Sequence, residues 1–268
     1  LFKANLVNFS ASRLFTNNCI YNLLDKAIEI GSLVQLLGVN KYVYKETHGV
    51  YSDAIQLVSK QLNIRTICIQ YSNMPFMSTM MLSAADDFLI FSEYYKDTFS
   101  NDNFGPGRFV VTGYPYREVY KVVDHYSIKT RNILHNHGAN LIIGYFDESI
   151  EDQKFGLVSK EDHLDDIELL AKKVIKYNSL AIVIKTQFVR NTPSKIYNDN
   201  KYISEAINTG RFIELCNGEL RNDIYPTEVA GIADICVGHL FGATASLEVA
   251  VYGGKSVLLD EYNITPDW

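Results

Sequence analysis

The chain has 268 residues, of which 47% are hydrophobic, and a formal net charge of −6. This length and composition allow one large or two medium globular domains and disfavour a disordered chain. The acidic balance argues against a nucleic-acid-binding protein, which normally carries a basic excess.

The sequence contains no apolar run as long as a membrane span, and no signal peptide opens it. Its four cysteines lie far apart, which predicts buried free thiols in a reducing cytosol rather than a disulfide framework. No Cys/His cluster has the spacing of a zinc site. Because the sequence begins at Leu1 and ends soon after a strand, we expect a fragment of a longer protein.

The first half alternates helix and strand patterns. Apolar residues at helical spacing predict helices over 22–37 and 54–62, and apolar runs predict strands over 41–45 and 64–69. The strand–helix–strand unit predicts a parallel sheet with a right-handed crossover. Two further strands are predicted over 87–91 and 108–112, with Ser92 and Glu93 starting a helix between them. We assign this first domain to residues 1–124.

His48 is the first candidate for chemistry in this half. It follows a predicted strand, at a carboxyl end of the kind where α/β proteins bind ligands. Since the pKa of a histidine lies near neutrality, His48 could serve as a general base, or it could only hydrogen-bond within its loop. Glu46 and Asp53 compete for the same role.

Residues 125–138 are polar and weakly periodic, and we expect a domain linker with a helix of its own. His135 and His137 stand two positions apart, so a helix would point them in different directions, which disfavours a metal pair.

The second domain, residues 139–268, repeats the alternation. Strands are predicted over 140–146, 180–184 and 212–215, and helices over 163–177, over 197–207 and from Tyr225 onward. Lys185 stands at the end of the second of these strands, where the alternatives are a phosphate ligand and a surface lysine.

Residues 233–260 carry the strongest functional signal. They form a short apolar strand closed by Gly238, a small-residue turn, a helix, a Gly-Gly stop and another apolar strand. The turn contains Gly242, Thr244 and Ser246, and free N–H groups at a helix start suit a phosphate. Glu248, one turn into the helix, could face the same crevice.

This stretch resembles the C-terminal donor site of the two-Rossmann (GT-B) glycosyltransferases and their relatives, which include UDP-GlcNAc 2-epimerases and CDP-glycerol glycerophosphotransferases. Within that group the chain most resembles bacterial surface-carbohydrate biosynthesis proteins, over about residues 42–260 and through short motifs. Val111-Thr112-Gly113-Tyr114-Pro115 is similar to the end of their first domain, although Gly113 and Pro115 could equally form only a turn. Lys185 matches a lysine of the relatives, but the Pro-His-Pro that often follows it is missing here.

The resemblance implies an α/β fold of two Rossmann-like parallel-sheet domains that face a cleft. It implies metal-independent transfer of a sugar from a nucleotide-sugar donor to a surface polysaccharide or glycolipid acceptor, with no resident cofactor. The donor-binding residues would be Lys185, Gly242, Thr244, Ser246 and Glu248, with His48 as catalytic base and Glu46, Asp53 and Gly113 as further candidates.

Other functions on the same fold are a nucleotide-sugar epimerase, a CDP-polyol phosphotransferase or an inactive scaffold. The expected partners are a nucleotide-sugar and a glycan or lipid-linked acceptor, without nucleic acid. The expected location is the cytoplasm, with peripheral association with the inner membrane left open. The sequence has no GxGxxG fingerprint after a strand, no Walker A motif and no Asp-x-Asp at a strand end, which disfavours nicotinamide, P-loop and metal-bound donor chemistry.

Overall fold

The computed structural model describes residues 11–45, 49–71, 73, 83–100, 105–115, 117, 120–147, 159–218, 223–240 and 244–260, the side chains of 11–14 and 120–125 excepted. The chain divides into two compact units. The first consists of Leu1–Tyr71 and Phe76–Gly113, and the second of Ser72–Pro75 and Tyr114–Trp268.

The first unit contains a four-stranded parallel sheet whose strands lie side by side in chain order, β1-β2-β3-β4. Its elements are α1 (Ala11–Leu36), β1 (Lys41–Lys45), α2 (Val50–Leu62), β2 (Arg65–Ile69), β3 (Asp87–Ile90), α3 (Tyr95–Thr98) and β4 (Arg108–Val111). The four predicted strands are therefore present within one or two residues of their expected bounds.

The predicted helix start at Ser92 and Glu93 is not present, and the amino ends of the strands are joined by ion pairs. Ser92 and Glu93 form turns, because their carbonyls accept from the amides of Tyr95 and Lys96, and the short α3 begins only after them. At the amino ends of three neighbouring strands, the carboxylate of Asp87 accepts from the guanidinium groups of Arg65 and Arg108. Those two cations lower the pKa of Asp87, Arg65 having the larger effect.

The second unit contains a five-stranded parallel sheet in the order β7-β6-β5-β8-β9. Its elements are α4 (Tyr120–Asn136), β5 (Leu141–Phe146), α5 (Lys160–Lys176), β6 (Leu180–Lys185), α6 (Pro193–Ile196), α7 (Lys201–Asn208), β7 (Phe212–Leu215), α8 (Pro226–Ile232), β8 (Ile235–His239), α9 (Thr244–Tyr252) and β9 (Ser256–Leu259). Buried apolar residues of α5 and α7 pack with the strands in one core, and those of α4, α8 and α9 pack with them in another.

Helices cover both faces of this sheet, which explains why its strands read as continuous apolar runs. Ile142, Ala181 and Val183 belong to a core shared with α8 and α9. Tyr145, Ile182 and Ile184 alternate with them and belong to a second core shared with α5 and α7. Alternate residues of β6 therefore face opposite layers, as the period of a strand requires.

Gly144, in the middle of β5, permits close packing of α8. A Cβ at this position would lie 2.6 Å from Cγ1 of Val229 and 2.9 Å from Sγ of Cys236. The strand can therefore hold only glycine here without moving the helix.

The stretch expected to link the domains is part of the second unit. The predicted boundary at residue 124 falls inside α4, and the units divide instead after Gly113, whose φ of 75° suits glycine. Arg131 of α4 donates to the carbonyl of Ile232 at 2.7 Å and forms an ion pair with Asp234. These contacts join α4 to α8 and to the start of β8.

Candidate functional site

The sheet of the second unit reverses its strand order at β5. From β5 the chain runs outward through β6 to β7, and then returns to place β8 on the other side of β5. In open α/β sheets, ligands bind outside the carboxyl ends of the strands at such a switch point. The residues there are Asp147 after β5, Lys185 at the end of β6 and His239 at the end of β8.

Lys185 is a partly buried cation at this edge. Burial lowers the pKa of its amino group, while the nearby carboxyl groups of Asp147, Glu248 and Glu228 act in the opposite direction. Its amino group donates a long hydrogen bond of 3.3 Å to the carbonyl of Thr186. A desolvated cation of this kind gains more from an incoming anion than a fully hydrated one does.

Glu248, on the first turns of α9, is held by a tyrosine. The hydroxyl of Tyr114 donates to Oε1 of Glu248 at 2.6 Å. Burial raises the pKa of the Glu248 carboxyl, and the Tyr114 hydrogen bond and the charge of Lys185 oppose that rise. Lys185 and Glu248, which the sequence assigned to one site, therefore lie within electrostatic reach of each other.

Thr244 and Ser246 begin α9 but face different neighbours. Oγ1 of Thr244 accepts from the amide of Asn73 at 3.0 Å. Ser246 is 3% exposed, and its Oγ has no hydrogen-bond partner in the described structure. A Cβ on Gly238 of β8 would lie 2.7 Å from that Oγ, so the hydroxyl lies against the strand. Gly242 lies outside the described residues.

Behind the strand ends lies a buried polar chain that the sequence did not reveal. The side chains of Asp147 and His163 are each 1% exposed, with Oδ2 of Asp147 3.9 Å from Nε2 of His163. Oδ1 of Asp147 accepts from the amide of Gln187 at 3.1 Å. Nδ1 of His163 lies 2.7 Å from the hydroxyl of Tyr197. Burial raises the pKa of Asp147 to about 8 and lowers that of His163 to about 4.

His239 belongs to a neighbouring polar cluster. Its Nε2 lies 2.9 Å from the hydroxyl of Tyr145, which donates to Oδ2 of Asp166 at 3.0 Å. A tyrosine hydroxyl has one proton, and that of Tyr145 goes to Asp166. In the other contact His239 is therefore the donor, through a proton on Nε2, and the Tyr145 oxygen accepts. The only sequence signal for either cluster was polarity at the ends of apolar strands. The helix partners were not recognisable, because His163 reads as one residue of an amphipathic helix.

The first-unit candidates are less well defined. His48 and Glu46 lie outside the described residues. Asp53 is exposed on the first turn of α2 and lines a groove of about 740 Å³ along that helix. Other lining groups of the groove are engaged within the fold, since Gln56 accepts from the amide of Ala84 and Asp86 accepts from Thr66. At least two of the polar groups that line the groove therefore stabilise the first unit itself.

Across the described ranges, no three His, Cys, Asp or Glu side chains are grouped so that they could hold a metal ion. No helix in the same part of the chain combines the length and the apolar character needed to cross a membrane.

Comparison with known proteins establishes the fold. No family model and no curated protein sequence matches the chain. Among solved structures, UDP-GlcNAc 2-epimerase from Neisseria meningitidis bound to UDP-GlcNAc aligns with a TM-score of 0.56 and 10% identity, covering 95% of this chain and 66% of that one. The S. aureus MnaA–UDP structure aligns with a TM-score of 0.54 and 11% identity, covering 89% and 63%.

A glycosyltransferase also aligns. The UDP-glucosyltransferase from Polygonum tinctorium that glucosylates indoxyl has a TM-score of 0.50 and 13% identity, and covers 96% of this chain and 66% of that one. The chain thus spans slightly less than two thirds of these structures. The expected GT-B fold, with two Rossmann-like parallel-sheet units, is confirmed, and at these identities the likeness extends to the fold alone.

Proposed function

We propose that the chain binds a nucleotide-sugar through the second unit and transfers its sugar to a glycan or lipid-linked acceptor. Structures of this fold include proteins in complex with UDP or UDP-GlcNAc and a UDP-glucosyltransferase. The strand ends at the β5/β8 switch point would hold the donor, because that is where such sheets bind ligands.

The position of Lys185 is the observation that carries this proposal. Its cation lies at the end of β6, next to the switch point, in partly desolvated surroundings. A fixed cation there would neutralise the charge that develops on a departing nucleoside diphosphate, without a metal ion. Asp147 competes little for that cation at neutral pH, since burial raises the pKa of its carboxyl group to about 8.

Glu248 is proposed to accept hydrogen bonds from the ribose hydroxyls. Its carboxyl group already accepts from a hydroxyl, that of Tyr114, so the site is suited to this kind of donor. Thr244 and Gly242 are proposed to line the phosphate pocket through the backbone at the start of α9. Ser246 would support the helix from behind, because its hydroxyl faces Gly238.

The acceptor side rests on sequence alone. We propose His48 as the base that deprotonates the acceptor hydroxyl, with Glu46 and Asp53 as the alternatives. The surface polysaccharide acceptor, the cytoplasmic location and association with the inner membrane are proposals of the same kind. No cofactor is included in the mechanism.

Epimerisation of a nucleotide-sugar is the second candidate. Asp147 and Glu248 are two carboxyl groups with raised pKa values in one electrostatic neighbourhood, around Lys185. A carboxyl group with a pKa near 8, such as that of Asp147, is suited to moving protons at neutral pH. Two of the similar structures carry the name UDP-GlcNAc 2-epimerase.

Calorimetric and thermal-shift titrations with UDP, CDP, GDP and CMP would test the proposal. A ligand that binds only the native state at about 100 times its Kd stabilises the protein by roughly 2.7 kcal/mol. We expect one nucleoside diphosphate to bind and uridine without phosphate not to bind. If no nucleotide binds, the donor site is refuted, and the hypothesis of an inactive scaffold remains. Release of nucleotide from a nucleotide-sugar only when acceptor is added would support transfer over epimerisation.

A further inference from the structure

Asp147 and His163 form a buried pair whose facing atoms have no hydrogen-bond partner. In the described part of the chain, neither Oδ2 of Asp147 nor Nε2 of His163 makes a hydrogen bond, and the two atoms are 3.9 Å apart. Both side chains are 1% exposed. Buried polar atoms are seldom left without partners, so this pair requires an explanation.

Tyr197 determines where the proton of His163 lies. The hydroxyl of Tyr197 donates to the carbonyl of Lys160 at 3.1 Å, and a carbonyl oxygen can only accept. That contact uses the single proton of the phenol. The 2.7 Å contact between Tyr197 and Nδ1 of His163 therefore takes its proton from His163. A neutral His163 then carries its proton on Nδ1 and turns the bare lone pair of Nε2 toward Asp147.

An ionised Asp147 would place a carboxylate oxygen opposite this lone pair, in a site that water does not reach. Neither acceptor would then be satisfied, and within the described structure the buried charge would keep hydrogen bonds from backbone amides, those of Gln187 and of Asp147 itself. One added proton removes the conflict, either on Oδ2 of Asp147 or on Nε2 of His163. Raised pKa at Asp147 and lowered pKa at His163 favour the first location.

We propose that Asp147 and His163 hold one proton between them at neutral pH, and that this proton keeps the Lys185 cation available for the donor phosphates. The second part rests on the proposed function. Asp147 adjoins Lys185, because its amide donates to the Lys185 carbonyl at 3.4 Å. If Asp147 loses the proton to solvent, its carboxylate therefore offsets the charge of Lys185. The pair would then act on the ligand through Lys185, as positioning residues.

Several other charged and titratable groups of the described residues lie around this site. Burial lowers the pKa of Lys185, and electrostatic interactions with Asp147, Glu248 of α9, Glu228 of α8 and Cys216 after β7 act against that effect. Burial also lowers the pKa of His163, and the electrostatic interaction with His239 of β8 lowers it further. Asp147 and Glu248 are the two with raised carboxyl pKa values. Among the described residues, Asp147 accepts from backbone amides rather than from a hydroxyl, and its side chain is 1% exposed. Substitution of Asp147 therefore isolates the effect of the shared proton.

Nuclear magnetic resonance of the whole chain tests the proton directly. Carbon-13 spectra of the Asp147 carboxyl should show it protonated at pH 7, and nitrogen-15 spectra of His163 should show a neutral ring protonated at Nδ1. A charged His163 beside an ionised Asp147 would also support the shared proton. An ionised Asp147 beside a neutral His163 at pH 7 would overturn the proposal, whatever the chain binds.

Titration with UDP tests the link to Lys185. In the wild-type chain, affinity for UDP should fall by about tenfold between pH 7 and pH 9, the equivalent of one pKa unit of coupling. Asp147→Asn preserves the shape of the protonated acid and should keep the affinity measured at pH 7 but lose this additional slope. Asp165→Asn, an exposed carboxyl on α5, is the matched control and should titrate like wild type.

Comparing the slopes of the variants cancels the ionisation of UDP itself. Equal slopes in wild type and Asp147→Asn would overturn the link between the proton and Lys185. If UDP does not bind to the wild-type chain at any pH, the donor site and the link both fail, and the spectra alone decide whether the shared proton exists.

Discussion

The hydroxyl of Tyr114 lies 2.6 Å from Oε1 of Glu248, although 134 residues separate them in the sequence. Tyr114 directly follows Gly113, where the two compact units divide, and Glu248 lies on α9 of the second unit. The carboxyl proposed for the ribose is therefore already engaged by a hydroxyl. A ribose that binds Glu248 would share or replace the Tyr114 contact.

Tyr114→Phe should separate these two roles of Glu248. Loss of a hydrogen bond to a buried carboxyl should lower the free energy of unfolding by about 1–3 kcal/mol, measured by urea denaturation. Affinity for UDP should be unchanged or higher, because the competing hydroxyl is gone. Glu248→Ala should instead weaken UDP binding with the fold intact. Equal loss of UDP affinity in both variants would show that Tyr114 itself serves the ligand.

Lys185→Met should weaken binding of a nucleoside diphosphate by roughly 10–100-fold, since a charge-assisted hydrogen bond contributes about 1.5–3 kcal/mol. Methionine keeps the apolar stem and removes only the cation. Calorimetry with UDP measures the change, and Lys173→Met, an exposed lysine on α5, provides the control. Wild-type affinity in Lys185→Met would exclude this lysine from the donor site.

Gly238→Ala should destabilise the second unit by about 1–3 kcal/mol through overpacking. The new methyl group would lie 2.7 Å from Oγ of Ser246, so either this buried hydroxyl must rotate away or β8 and α9 must separate. Ser246→Ala removes that oxygen, which has no hydrogen-bond partner in the described structure, and should be close to neutral by itself. In the double variant, most of the lost stability should return. If urea denaturation shows that the stability losses of the two single variants simply add in the double variant, the steric clash does not involve the Ser246 hydroxyl.

The free energy of unfolding should decrease as pH rises from about 6.5 to 8. The pKa of Asp147 is raised from its ordinary 3.8 to about 8, and that of His163 is lowered from 6.5 to about 4. Between pH 4 and 6.5 the pair binds about one proton whether folded or unfolded, so the two effects offset each other. Above pH 6.5 the unfolded pair has lost its proton while the folded pair retains it, and stability falls with a slope of about 1 kcal/mol per pH unit.

Urea denaturation across this pH range measures the slope. Asp147→Asn should flatten it, because the amide cannot titrate. The exposed-site variant Asp165→Asn should leave it unchanged. A wild-type stability that is constant from pH 6.5 to 8 would contradict the raised pKa of Asp147.

Most strands could be predicted from the sequence, because parallel strands buried on both faces read as apolar runs. The runs at 140–146 and 180–184 became β5 and β6 within one residue at each end. The positions of Lys185 at a strand end and of Glu248 within a helix could also be predicted, and their role in donor binding stays a prediction. The short α3 was not, since Ser92 and Glu93 carry the residue types of a helix start but form turns.

The rest of the site depends on contacts between distant segments. The His163–Tyr197 contact requires α5 to pack beside the segment that precedes α7, and nothing in the local pattern of either segment records that. The division after Gly113 was missed for a similar reason. Residues of α4 look like a polar linker, and contacts such as the bonds from Arg131 to Ile232 and Asp234 show that the helix belongs to the second unit.

The pairing of β5 with β8 has a consequence for the order of folding. Ile142 at the start of β5 donates its amide to Asp234, 92 residues later in the chain, whereas β5 pairs with β6 after a single helical crossover. Closing the longer loop costs more chain entropy and contributes to slow folding of such topologies. We expect β5 and β6 to associate early during synthesis, and the rim where the donor is proposed to bind to be completed only after β8 has left the ribosome.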